Sequence, residues 1–315
     1  MLASQDDTPH HRHCFAPRAR VEHACGGATL VRAALALPAH ATSLGEMFTH
    51  SARRYPERVF MRERDALSGG WIAIPYSEAL QKARAIAQWL LDDGAVAGQV
   101  LVLLSGASIE HALMALGAQL AGVTVAPVSV GYSTLSTDFE RLKTCVANVG
   151  ARYVFAADPV LFGAALKALR SQSPTLAVVL GRCEVEGLAS VSLGELLRRP
   201  GGADLDRALA AVGPRSIAKL MFTSGSTGAP KAAPQTQDCM TVTVAQAEAV
   251  GLLEFGDDAP QLLEAMPFSH IMAGNFNFNN MVRCGGTINL DEGNRPPRFS
   301  PRPSPTCARS PRTTT

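Results

Sequence analysis

The sequence predicts an α/β fold in which parallel strands are flanked by helices on both sheet faces. Two observations carry this. Between residues 76 and 181, segments whose apolar residues recur at helical spacing alternate with short β-branched and leucine-rich runs. Those runs are apolar at almost every position, as expected of central parallel strands covered on both faces. With 315 residues, 47% of them apolar, the chain can bury one large core or two ordinary ones.

Residues 76–95 carry Leu80, Ala83, Ile86, Ala87, Leu90 and Leu91 on one helical face, and Gly94 ends the helix. A strand VLVLLSG follows at 100–106, then a helix at 108–122 and a strand VTVAPVS at 123–129. The theme repeats with helix 138–150, strand YVFAAD at 153–158, helix 159–170 and strand LAVVLG at 176–181. Such alternation implies βαβ crossovers. Residues 198–217 read as a polar connection into the strand IAKLMF, a small-residue loop and a helix-like stretch at 241–250. No fixed-period repeat is present.

Charge and composition exclude several function classes. The formal net charge of +2 rests on Arg295, Arg298, Arg302, Arg309 and Arg312, and without these five it would be −3. The basic character belongs to a tail, and no basic stripe with interleaved aromatics runs through the body, so no nucleic-acid partner is expected. Cys14, Cys25, Cys145, Cys183, Cys239, Cys284 and Cys307 are scattered, odd in number and never in a Cys-x-x-Cys pair. That usage suits reduced thiols in a cytoplasmic protein. His10, His11, His13, Cys14, His23 and Cys25 match no structural zinc spacing, so residues 1–42 are read as a disordered extension with no metal site. The stretch 30–41 ends in Ala-His-Ala but contains Arg32 and follows acids and histidines, unlike an export signal. Residues 112–137 lack charge over a length that could cross a bilayer, yet Gly117, Gly122 and Pro127 divide them into a helix end, a turn and a buried strand. No membrane partner is expected.

The chemistry concentrates in TSGSTGAPK, residues 223–231. The preceding strand delivers this loop to the carboxyl end of a sheet, where open α/β folds place their ligands. Glycines at 225 and 228 let backbone N–H groups turn toward one anion, Ser224, Ser226 and Thr227 add hydroxyls, and Lys231 adds positive charge. The combination is a triphosphate cradle. It differs from the common P-loop, because Lys231 comes three residues after Gly228 with Pro230 between. A flexible Ser/Gly linker is the plainer alternative, and the strand before the loop and the Pro-Lys after it weigh against that.

Thr223-Ser224-Gly225-Ser226-Thr227-Gly228-Ala229-Pro230-Lys231 resembles the phosphate loop of the adenylate-forming enzymes, which include acyl-CoA synthetases and peptide-synthetase adenylation domains. Tyr76-Ser77-Glu78-Ala79-Leu80 and AGVTVAPVSVGYS are similar to that family's first core helix and buried strand, and Met266-Pro267-Phe268-Ser269-His270 is similar to its acyl-pocket segment. The Asn-rich GNFNFNNMV and the following GGTINLDEG look like the feruloyl-CoA synthetase branch.

The resemblance covers residues 43–295 and implies part of the family's large N-terminal domain. It implies activation of a hydroxycinnamic acid by Mg2+-ATP to an acyl adenylate, followed by transfer to CoA. Residues 223–228 and Lys231 would hold the phosphates, with Lys231 and His270 as the catalytic pair. Phe268, His270, Asn275 and Phe276 would line the acid pocket. An ordinary core histidine, and loop or cap chemistry for Asn275, Asn277, Asn279 and Asn280, are the alternatives.

The family's aromatic-Gly-x-Thr-Glu segment, ribose-binding Asp, hinge and lysine-bearing C-terminal domain have no counterpart in the sequence. Residues 296–315 are rich in Arg, Pro, Ser and Thr, a composition that cannot pack, and are read as an aberrant tail of the kind a frameshift produces. A chain so composed is expected not to complete ligation alone, which leaves a non-catalytic ATP- or acid-binding remnant as the alternative. An unrelated phosphate-binding hydrolase would need an activating acid near the loop.

Overall fold

The computed structural model of the chain describes residues 19–24, 26–65, 68–223, 228, 230–253 and 259–291. Strands β1 (Ala19–His23) and β2 (Thr29–Ala33) form a separate exposed antiparallel hairpin. Helix α1 (Leu44–Arg54) starts at Ser43, whose hydroxyl accepts from the Glu46 amide, and β3 (Val59–Arg64) pairs antiparallel with β4 (Trp71–Pro75). There follow α2 (Tyr76–Asp92), β5 (Val100–Leu104), α3 (Ile109–Leu120), β6 (Thr124–Pro127), the short α4 (Gly131–Thr134), α5 (Glu140–Asn148), β7 (Tyr153–Ala156), α6 (Pro159–Gln172) and β8 (Ala177–Leu180). The alternation predicted for 76–181 is therefore present. Helix α6 has Pro159 in its first turn, and the Asp158 carboxylate accepts from the amides of Val160 and Leu161, a strong amino-terminal signal.

After β9 (Val191–Ser192) and α7 (Leu193–Leu196), the stretch read as a polar connection holds a helix, α8 (Ala203–Ala211). Its Leu205 is fully buried and Leu209 packs on the core, while Asp204 and Asp206 favour the positive end of the helix dipole. The flanking Arg-Arg-Pro-Gly-Gly had masked that pattern. Strand β10 (Ile217–Thr223) is as predicted, but the chain returns from the loop as a second strand, β11 (Lys231–Thr236), before α9 (Gln237–Ala249). Pro234 is compatible with this strand because β11 is an edge strand. The chain continues through β12 (Gln261–Glu264), a π-helical turn (Met272–Asn277), α10 (Phe278–Cys284) and β13 (Thr287–Leu290).

Seven strands form one sheet in the order β11-β10-β6-β5-β7-β8-β9, parallel except for the β10/β11 pair. A second sheet has the order β12-β13-β3-β4, its first three strands parallel. Two apolar clusters hold these layers. Leu101, Leu103, Tyr153 and Phe155 from one face of the large sheet meet Phe60, Met61, Ile74, Ile288 and Leu290 from the small sheet, with α1, α2, α3 and α10 between them. Val100, Val102, Leu104, Val154 and Val178 point the other way, onto α5 and α6. Both faces of β5 are thus covered, which explains its unbroken apolar run. Helices α2 and α3 cross closely because residue 117 is glycine: a Cβ there would lie 2.6 Å from Ile86 Cγ2. No helix among the described residues is long and apolar enough to cross a membrane.

Candidate functional site

The loop 224–230 spans the tip of the β10/β11 hairpin. Thr223 and Lys231 are partners in register at its base, and the Thr223 hydroxyl donates to the Lys231 carbonyl at 3.4 Å. Both side chains are exposed. A rigid antiparallel base therefore presents one hydroxyl and one ammonium together at the carboxyl end of β10. Gly228 has φ +118°, a backbone conformation that L side chains rarely adopt. Pro230 is buried, and its carbonyl accepts from Asn148 Nδ2 of α5 at 3.5 Å, which anchors the far side of the loop. Ser224, Gly225, Ser226 and Thr227, the remaining expected phosphate ligands, lie outside the described residues.

The second expected segment leaves the carboxyl end of β12. The His270 amide bonds the Pro267 carbonyl at 2.9 Å, closing a turn that leads into the π-helical turn. His270 is exposed, and its Nδ1 accepts from the Met272 amide at 3.2 Å. The neutral ring then carries its proton on Nε2, which is a donor for a ligand. Phe276 is half-buried. Phe268 and Asn275 sit deeper. The Phe268 ring packs edge-on against His111 and Phe278, with centroids 5.3 and 5.5 Å away. The buried Asn275 turns its side-chain oxygen to the Lys219 ammonium at 3.2 Å. His270 thus stands at the surface and Phe276 partly so, while Phe268 and Asn275 lie within.

Lys219 is what brings the two segments together. It lies on β10, four residues before Thr223, or about 13 Å along an extended strand. Its ammonium also donates to the Gly274 carbonyl inside the π-helical turn. Burial lowers its pKa to about 8. Beside it His111 is fully buried; desolvation first, and then the Lys219 charge, drive its pKa down to about 3. His111 Nδ1 bonds Ser105 Oγ at 2.7 Å, while that hydroxyl donates to the Gly106 carbonyl, so Nδ1 carries the proton of a neutral ring. Neither Lys219 nor His111 was picked out from the sequence. Lys219 had a legible signal, a lone charge inside the apolar run IAKLMF, whereas His111 lies in a helix buried on nearly every side and gives none.

Among the described residues no group of three or more His, Cys, Asp or Glu could hold a metal ion. Lys231 and Thr223 at the base of the loop offer an ammonium and a hydroxyl, and His270 offers a ring donor on the segment that follows β12. Such donors suit an anion.

Residues 48–305 match the profile of a family described as AMP-binding enzyme. The chain is 28% identical over 251 residues to the long-chain-fatty-acid–CoA ligase FadD15 of Mycobacterium bovis, covering 74% of this chain and 40% of that protein. It is 27% identical over 208 residues to the N-(5-amino-5-carboxypentanoyl)-L-cysteinyl-D-valine synthase of Streptomyces clavuligerus, covering 64% of this chain and 23% of the synthase. The chain thus spans less than half the length of these curated relatives. In fold it is similar to the N-terminal domain of FACL13 from Mycobacterium tuberculosis, with a TM-score of 0.62 at 19% identity over 80% of this chain and 57% of that one. The N-terminal subdomain of Klebsiella oxytoca NpsA, solved with 3-hydroxybenzoyl-AMSN, gives a TM-score of 0.57 at 16% identity over 80% of this chain and 54% of that one.

Proposed function

The chain belongs to the family of AMP-binding enzymes, and from that premise we propose that it carries the ATP- and acid-binding part of a ligation that activates an aromatic, ferulate-like carboxylic acid with Mg2+-ATP and passes the acyl group to CoA, a reaction this chain is not expected to complete alone. In the first step a carboxylate oxygen bonds to the α-phosphorus of ATP as the bond to the bridging β-phosphate oxygen breaks, releasing pyrophosphate. In the second the CoA sulfur bonds to the acyl carbon, the thiol gives up its proton, and AMP leaves. The first barrier is repulsion between anions, so the protein's contribution is positioning and charge neutralisation.

The observation that supports this reading best is the hairpin that pairs Thr223 with Lys231 at the base of TSGSTGAPK, joined through Lys219 to the π-helical turn that follows His270. Thr223 and Lys231 would hold the β- and γ-phosphates together with residues 224–228, and Mg2+ would arrive bound to ATP. His270 Nε2 would donate to the acid or the adenylate, with Phe276 beside it. The aromatic assignment rests on the likeness of GNFNFNNMV and GGTINLDEG to feruloyl-CoA synthetase.

Ferulate-dependent exchange of labelled pyrophosphate into ATP by the purified chain tests the proposal, with palmitate as the competing acid. Exchange with ferulate and not palmitate supports the aromatic assignment for the first step. Exchange with palmitate alone would replace the aromatic assignment with a fatty one. ATP binding without exchange on either acid would leave only a nucleotide-binding function.

A further inference from the structure

The ammonium of Lys219 is buried, and a buried charge persists in a fold only where its surroundings compensate it. Here they do so asymmetrically. One acceptor is the Gly274 carbonyl and the other the Asn275 side chain, both on the π-helical turn, while the Phe278 ring at the start of α10 lies 5.8 Å from Nζ. The lysine's own backbone is on β10, the strand that runs into the phosphate loop. The turn already lies so close to Phe268 that only glycine fits at 274, since a Cβ there would collide with the Phe268 carbonyl. π-Helical turns are marginal structures found at functional sites, so this one needs an external tie.

We infer that Lys219 is a positioning residue that couples occupancy of the phosphate loop to the order of the acid-binding segment 268–278. The inference rests on the nucleotide role proposed for residues 223–231. Phosphates drawing on the carboxyl end of β10 shift Lys219 along the strand axis, and its two bonds carry that shift into the π-helical turn, which bears Phe276 and whose Gly274 amide bonds the His270 carbonyl. The ammonium thereby links two substrate sites without touching either substrate. Neutral His111 next to it adds no competing charge, and its ring holds Phe268 in place.

Amide hydrogen exchange followed by mass spectrometry, on the full chain and its Lys219→Met variant, with and without Mg2+-ATP, decides the matter. In the parent, Mg2+-ATP is expected to slow exchange in 223–231 and also in 268–278. In Lys219→Met the first protection should persist and the second should fall by about tenfold, the size of a typical coupling between sites. A merely structural lysine would change the ligand-free rates and leave the ATP-dependent protection of 268–278 intact, and that result overturns the inference. If Mg2+-ATP protects nothing in the parent, the nucleotide reading fails. The coupling then fails with it, whereas protection of 223–231 without protection of 268–278 in the parent overturns the coupling alone. Should Lys219→Met fail to fold, Asn275→Leu removes one of the two bonds and should halve the ATP-dependent protection, while unchanged protection would again overturn the coupling.

Discussion

Glu110 is the second residue of α3, and its Oε2 is buried with no hydrogen-bond partner among the described residues. Burial raises its pKa from 4.5 to about 7, with Glu63 and Asp158 adding to the rise and Arg182 opposing it. The folded chain therefore keeps a proton that the unfolded chain releases near pH 4.5. That stability is fully present below pH 4.5 and is lost as pH rises through about 7. Against a Glu110→Gln variant, the parent should lose up to about 3 kcal/mol across this window. Urea unfolding of both proteins at about pH 5 and about pH 8 measures the difference, and parallel pH curves would show that the carboxyl ionises normally. Nothing in the sequence marks Glu110, because its environment is assembled from β3, α3 and the chain after β7 and β8. Lys231 and Thr223 were legible for the opposite reason, since their neighbours in the chain are also their neighbours in space.

At the scale of elements, a pair of buried amides ties four of them together. Gln237 at the start of α9 accepts from the Leu44 amide of α1 at 2.9 Å and donates to Gln119 Oε1 of α3 at 2.7 Å. Gln119 in turn donates to the Ala218 carbonyl of β10 at 2.7 Å. Replacing Gln237 with Leu would orphan one backbone donor and one side-chain acceptor, for an expected loss of about 2–4 kcal/mol. Chemical unfolding of the variant checks this, and a loss below about 0.5 kcal/mol would mean that water replaces both partners. The strands and helices of the large sheet could be read from the sequence because consecutive segments pair or pack in it. The small sheet was legible only in part. Its β3 carries a bulge between Val59 and Met61, so Phe60 and Met61 both enter the core and the two-residue alternation that announces a strand is lost.

The two larger sheets share one apolar cluster between them, since α2 and α3 face both. Neither sheet can lose its partner without exposing the same helices. Calorimetric and van't Hoff enthalpies of unfolding should therefore agree, and the signals of Trp71 in the small sheet and Trp89 in α2 should change together. Two separated transitions would show that the layers are independent. The pairing that closes the small sheet joins Met61 to Ile288. On a ribosome these residues emerge far apart in time: at about 5–20 residues per second, the open edge of β3 waits roughly 10–45 s for β13. For that interval the nascent chain holds a hydrophobic strand beside β4 with no second neighbour, a state in which chaperone capture and final closure compete.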